Sequence, residues 1–70
     1  MTSYINRTRF AAIVTISVDS TDNPQAALEL GANNSYEKFS ATVRHHDILV
    51  EPGKEIRPSE NTVVTLHGVR

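Results

Sequence analysis

Phe10-Ala11-Ala12-Ile13-Val14-Thr15-Ile16-Ser17-Val18-Asp19 is the stretch whose reading decides the fold. In an extended chain Phe10, Ala12, Val14, Ile16 and Val18 share one face, and Ala11, Ile13, Thr15, Ser17 and Asp19 share the other. The second face turns from apolar to polar along its length. Period-two alternation rich in β-branched residues marks a half-buried strand, predicted from about Arg9 to Asp19. Ser20-Thr21-Asp22-Asn23-Pro24 stops it, because four turn-favouring polar residues before a proline break extended structure.

Beyond the break, Gln25 to Ala32 supports two readings. Asn23 as cap, Pro24 at the first helical position and Gly31 as C-terminal cap describe a short helix near residues 24–31. Alternatively, Ala26, Leu28 and Leu30 face inward from a strand. Ala32-Asn33-Asn34-Ser35 is a turn. Tyr36 to Arg44 alternates again, with Phe39, Ala41 and Val43 on one face. His45-His46-Asp47 breaks that parity, which predicts a bulge or tight turn before the short strand Ile48-Leu49-Val50. Pro52-Gly53 carries the signature of a type II turn, with φ > 0 expected at Gly53. Ile56 opens another extended piece, and Thr62 to His67 is the last strand.

Short strands at regular spacing with turns between them predict a mainly β fold. The expected form is a small antiparallel β-sandwich or partly open barrel of five to six short strands. Residues 10–70 form one small β domain, and residues 1–9 are expected to be a flexible N-terminal arm. Val14, Ile16, Val18, Phe39, Ala41, Val43 and Leu66 are the expected core. From Leu28 to Gly53 the order strand, Asn-rich turn, alternating strand, Pro-Gly turn loosely resembles part of an immunoglobulin-like sandwich. It covers about half of the chain and singles out no family.

Seventy residues with no cysteine leave a thin core without disulfides or thiolate metal sites. Docking on a partner, or self-assembly, is the expected supplement. Seven basic and eight acidic residues give a net charge of −1, unlike the basic surplus of a phosphate-backbone binder. Nucleic-acid binding therefore ranks low. It would have to use Tyr4, Phe10, Tyr36 or Phe39 for stacking and Arg7, Arg9, Lys38 and Arg44 for phosphates. Phe10 and Phe39 are read instead as core residues. No apolar run approaches the ~20 residues of a membrane span, so no membrane role is expected. The polar start is not a secretion signal, which predicts cytoplasmic synthesis; a later place in a virion is compatible with that start and is not read from it.

Site chemistry is sparse. His45 and His46 are adjacent and point to opposite faces of a strand, with His67 a third ligand only if the last strand pairs nearby. Gly31, Gly53 and Gly68 are isolated, so there is neither a nucleophile elbow nor a phosphate loop. Glu51 and Glu55 flank a turn and read as solvated. Asn6-Arg7-Thr8 and Asn33-Asn34-Ser35 match the glycosylation pattern, with chance the better explanation. No catalytic, cofactor or metal role is assigned. The expected function is that of a non-enzymatic interaction protein, foremost a small virion-type assembly or decoration protein. A small inhibitor acting by occlusion and a nucleic-acid-binding module are the alternatives. Tyr4, Ile5, Arg7 and Arg9 are the expected contact residues.

Overall fold

The alternating stretch folds as a ten-residue strand, β2 (Ala12–Thr21), in a computed structural model that describes residues 3–70. Ala12, Val14, Ile16 and Val18 are buried on its inner face. The strand starts at Ala12 rather than Arg9. Phe10 lies in the preceding loop and is 78% exposed, which corrects its assignment to the inner face.

Six further strands surround it: β1 (Tyr4–Ile5), β3 (Leu28–Ala32), β4 (Ser35–Phe39), β5 (His45–Val50), β6 (Glu55–Pro58) and β7 (Thr62–Val69). They form two sheets in which every pairing is antiparallel. Sheet A has the order β1-β6-β3-β4 and sheet B the order β5-β2-β7. The expected antiparallel β-sandwich is thus present, with one strand more than the sequence suggested. The additional strand is β1, in the segment expected to be an arm. Tyr4 pairs with Ile56 and packs against the core, and Ile5 pairs with Glu55. Residues 1–2 of the expected arm lie outside the described residues. The strand order also departs from the immunoglobulin arrangement, whose first two strands share a sheet. Here β1 and β2 lie in different sheets.

The segment after Pro24 combines its two readings. Pro24–Ala26 is a single 3-10 turn, with the Asn23 side chain accepting the Gln25 N–H at 3.2 Å. Extended structure then begins at Leu28. Gly31 caps nothing. It sits opposite Tyr36 in mid-strand, where a Cβ would fall 2.0 Å from the Ser35 carbonyl oxygen. Asn33 and Asn34 both take positive φ, 53° and 65°. They form the two-residue turn whose twist suits a hairpin. Gly53 has φ 80°, and Lys54 N–H reaches the Glu51 carbonyl at 3.0 Å, as the Pro-Gly reading requires.

Two corrections concern the middle of the chain. β4 ends at Phe39, and residues 40–44 cross from sheet A to sheet B. Ala41 stays buried because its N–H bonds the Pro24 carbonyl, whereas Val43 is exposed in the crossing. The parity change at His45-His46-Asp47 comes from this crossing and not from a bulge. β5 runs regularly from His45, pairing Ser17↔His45 through Ala12↔Val50. Phe39 is half-buried at the rim, and Leu66 is exposed near a bulge in β7.

The core therefore rests on Val14, Ile16 and Val18 from one sheet and on Leu28 and Ile56 from the other, closed by Val50, Val64, Ala27 and Ala41. Each large aliphatic buried this way contributes about 1.5–3 kcal/mol. Asn6 lies among them, fully buried. Its Nδ2 donates to the carbonyls of Phe10 and Val50, both at 2.8 Å. Its Oδ1 accepts the Thr8 N–H at 2.9 Å and the Thr8 hydroxyl at 2.7 Å. Its backbone bonds Lys54 and Gly53.

Ile16→Ala should cost about 2–5 kcal/mol. A domain this small holds only a few kcal/mol in its core, so cooperative melting near room temperature should disappear. A preserved melting curve would refute the core assignment. Asn6→Ala should cost about 1–3 kcal/mol for each buried partner left unpaired. Chemical denaturation would report it as a lower midpoint, and an unchanged midpoint would show that the loop does not depend on this side chain.

Candidate functional site

The outer face of sheet B holds the densest polar grouping, and two β-bulges build it. Between Thr15 and Ile16 the register with β7 slips so that His67 is the additional residue. Between Val18 and Ser20 the additional residue is Asp19. A bulge turns a side chain away from the direction strict alternation would give it. His67 Nε2 lies 2.8 Å from the Ser17 hydroxyl. The Ser17 hydroxyl donates to Asp19 at 3.2 Å, and the Thr65 hydroxyl donates to Asp19 at 2.6 Å. The His45 ring lies against His67, with centroids 4.8 Å apart and planes tilted by 38°. Ser17 is covered by these neighbours and is buried although it points outward.

Serine, histidine and aspartate meet here, but not in relay order. Asp19 serves the hydroxyls of Ser17 and Thr65 and is not placed behind the imidazole, where a triad needs it to orient the base. Of the three histidines, His45 and His67 come together because β2 lies between β5 and β7. His46 points the other way, its Nε2 2.8 Å from the Thr42 carbonyl. Among the described residues no set of three or more His, Asp or Glu side chains converges as a metal site. Asp47 extends the polar row, accepting from the Thr15 hydroxyl at 2.7 Å and pairing with Arg70 at 3.4 Å.

Sheet A carries a second polar network. The Arg57 guanidinium stacks on the Tyr36 ring, 3.7 Å from its centroid, and pairs with Glu29 at 3.2 Å. The Tyr36 hydroxyl donates to Glu55 at 2.5 Å. Tyr36 lies across Gly31, where a side chain would strike the Ser35 and Tyr36 backbone.

The end of sheet B nearest Phe10 is apolar instead. Ile13 and Leu49 are direct cross-strand partners on the outer face, and both are exposed. Asn6 Nδ2 binds the Phe10 and Val50 carbonyls together, which fixes the Phe10 backbone beside the strand that carries Leu49. Ile13 and Leu49 thus form an exposed apolar pair on the outer face, and Phe10 is a third large exposed apolar side chain in the loop that enters β2.

Of the expected contact residues, Tyr4 is turned inward against the core. Ile5, Arg7 and Arg9 are exposed. The aromatic residues considered for nucleic-acid stacking do not gather on one exposed face. Tyr4 and Phe39 pack on the core, Tyr36 lies on the outer face of sheet A, and Phe10 stands in its loop. The Asn6 amide is wholly engaged and buried, while Asn33 is exposed on its hairpin. Among the described residues no helix is long and apolar enough to cross a membrane. Compared with known proteins, the chain matches no family model, no curated sequence and no solved structure.

Two carboxyl groups are held below their usual range. For Asp19 the main cause is the Thr65 hydroxyl, opposed by desolvation and helped by Ser17 and the charge of His67. For Glu55 it is the Tyr36 hydroxyl, then Ser3. The same bond raises the Tyr36 phenol. A carboxyl more acidic in the folded state stabilises above the ordinary carboxylate range, and that stability is lost as pH falls through the folded-state value. The melting temperature should therefore drop on acidification through and below that range. Asp19→Asn combined with Glu55→Gln should flatten the drop, and an equally steep drop in the double variant would remove these two groups as its cause.

Proposed function

We propose that this chain is a non-enzymatic interaction protein that docks on a protein partner, and that its setting is a repetitive assembly such as a virion shell. The observation that carries the reading is the exposed pair of Ile13 and Leu49 with Phe10 in the adjoining loop, three large apolar side chains left in solvent at one end of sheet B. Single exposed aliphatics are ordinary, but a cross-strand apolar pair with an exposed aromatic in the adjoining loop offers the kind of surface a docking partner covers. Phe10 is the strongest anchor, since Asn6 holds its backbone and little of its ring is covered. A prearranged anchor loses little freedom on binding.

The exposed Arg7 and Arg9 flank this anchor and supply a charged rim. Small size, balanced charge and the absence of cysteine suit a protein that adds itself to a larger surface. This reading replaces the arm as the basis for assembly, since Tyr4 finds its place within the chain.

The test is incorporation. Antibody against the chain should label particles purified from its source. A Phe10→Ser, Ile13→Thr variant supplied in place of the natural chain should keep its circular dichroism and fall out of the particle fraction. Absence of the natural chain from particles would remove the virion setting. Full incorporation of the variant would remove these side chains as the docking surface.

A further inference from the structure

We infer that β5 is a self-pairing edge, through which two copies of this chain join antiparallel about a twofold axis into one continuous sheet. This deepens the assembly reading above, on which it rests, by naming a second copy as the first partner.

The sandwich has four edge strands, β1 and β4 in sheet A and β5 and β7 in sheet B. An edge offers unpaired N–H and C=O groups, and proteins guard such edges with very short strands, charged side chains (lysine above all), proline or bulges. β1 has two residues. β7 is bulged at His67 and carries Gly68. β4 carries Lys38. β5 has six residues, pairs regularly with β2, contains no lysine, arginine or proline, and carries Asp47, already paired with Thr15 and Arg70, as its one acidic side chain.

The peptide groups of β5 are aimed for such pairing. Val18 N–H bonds the Arg44 carbonyl, which sets the alternation of the ladder. Arg44, His46 and Ile48 therefore turn their peptide groups towards β2. His45, Asp47 and Leu49 turn theirs to the free side.

Symmetry then selects the register. A twofold axis perpendicular to the sheet keeps the inner faces of both copies on one side, so residues directly opposite must share a face. For β4 an axis at Glu37 sets Glu37 against Glu37 of the second copy and an axis at Lys38 sets Lys38 against Lys38, like charges that are unfavourable opposite each other, while an axis at Tyr36 carries Lys38 and Phe39 past the start of the other strand. For β5, an axis at Asp47 sets two aspartates together, and an axis at Leu49 sets Asp47 against Glu51. An axis at His46 carries Leu49 and Val50 past the start of the other strand. An axis at Ile48 avoids all three faults. It sets Ile48 against Ile48, His46 against Val50, Asp47 against Leu49, and His45 against Glu51 at both ends. The last pairing sets an imidazole beside a carboxylate.

This register also closes an opening in the monomer. Between the β4 and β5 edges lies a cleft of about 340 Å³ bounded by Leu30, Phe39 and Ile48, each half-buried, with Glu37 and Lys38 at its rim. Ile48 of each copy then meets its counterpart at the mouth of that cleft. On the outer face Ile13 and Leu49 of both copies come to lie on the same side of one sheet, so the dimer presents a doubled docking surface.

The experiment is sedimentation equilibrium of the full chain, with far-ultraviolet circular dichroism as the control for folding. The natural chain should be a dimer at high concentration. Leu49→Pro removes an outward N–H and leaves the ladder to β2 intact, so it should be monomeric with an unchanged β signal. Should that variant unfold, charge exchange decides. Glu51→Lys should weaken the dimer on the order of tenfold, and adding His45→Glu should restore it. A natural chain that stays monomeric at millimolar concentration overturns the inference. So does a dimer unaffected by Leu49→Pro, or a Glu51→Lys loss that His45→Glu does not recover. The Glu51 and His45 variants leave Phe10, Ile13 and Leu49 in place, and the Phe10 and Ile13 substitutions leave the β5 edge untouched, so dimerisation and incorporation can fail separately.

Discussion

The buried amide of Asn6 is the constraint on which the rest of the sandwich depends. It ties segments of both sheets by something other than apolar packing. Its backbone bonds the turn between β5 and β6, and its side chain reaches the last residue of β5 and the loop that enters β2. An amide has two donors and an acceptor oxygen, and here all are used. A buried group satisfied in this way adds direction, which hydrophobic burial lacks. Direction is what sets where β2 begins. Because Phe10 and Ala11 belong to the Asn6 loop, the inner face opens with Ala12, and Ile16 arrives at the centre of the core.

From that start β2 also organises the surface chemistry. It is the central strand of sheet B, so whatever projects from its outer face is flanked by β5 and β7. Two bulges then aim His67 and Asp19 at Ser17. The result is a fixed chain of hydroxyl, imidazole and carboxylate groups on an otherwise plain sheet. It holds the bulged strands in register, while the apolar end of the same sheet is left bare.

The inner face of β2 was legible because alternation is covalent: once the chain is extended, Val14, Ile16 and Val18 must share a side. Gly53 and the Asn33-Asn34 turn were legible for a related reason, since few residues accept their backbone angles. The errors arose where parity was carried across a break. Phe10 lies before the strand begins and Val43 lies in a crossing between sheets, and neither event leaves a mark in local composition. Tyr4 and Ile56 could not be matched in advance because their pairing joins distant parts of the chain. The candidate site was legible only in part. His45 and His67 were expected to meet if the last strand paired nearby, but the roles of Ser17 and Asp19 depend on bulges that only the paired strands define.

The order of strands has a consequence for how the chain reaches this state. Apart from the β3–β4 hairpin, each connection from β1 to β7 carries the chain from one sheet to the other. The central strand β2 needs β7 on one side, and β1 needs β6. Little can therefore be completed while the polypeptide is still emerging from the ribosome, and the first strands must wait for the last ones. Topologies dominated by such distant pairings close slowly, since the entropy of large loops is lost before contacts repay it. Until β7 arrives, one edge of β2 has no ladder partner, and the nascent chain is most exposed to mispairing with its neighbours.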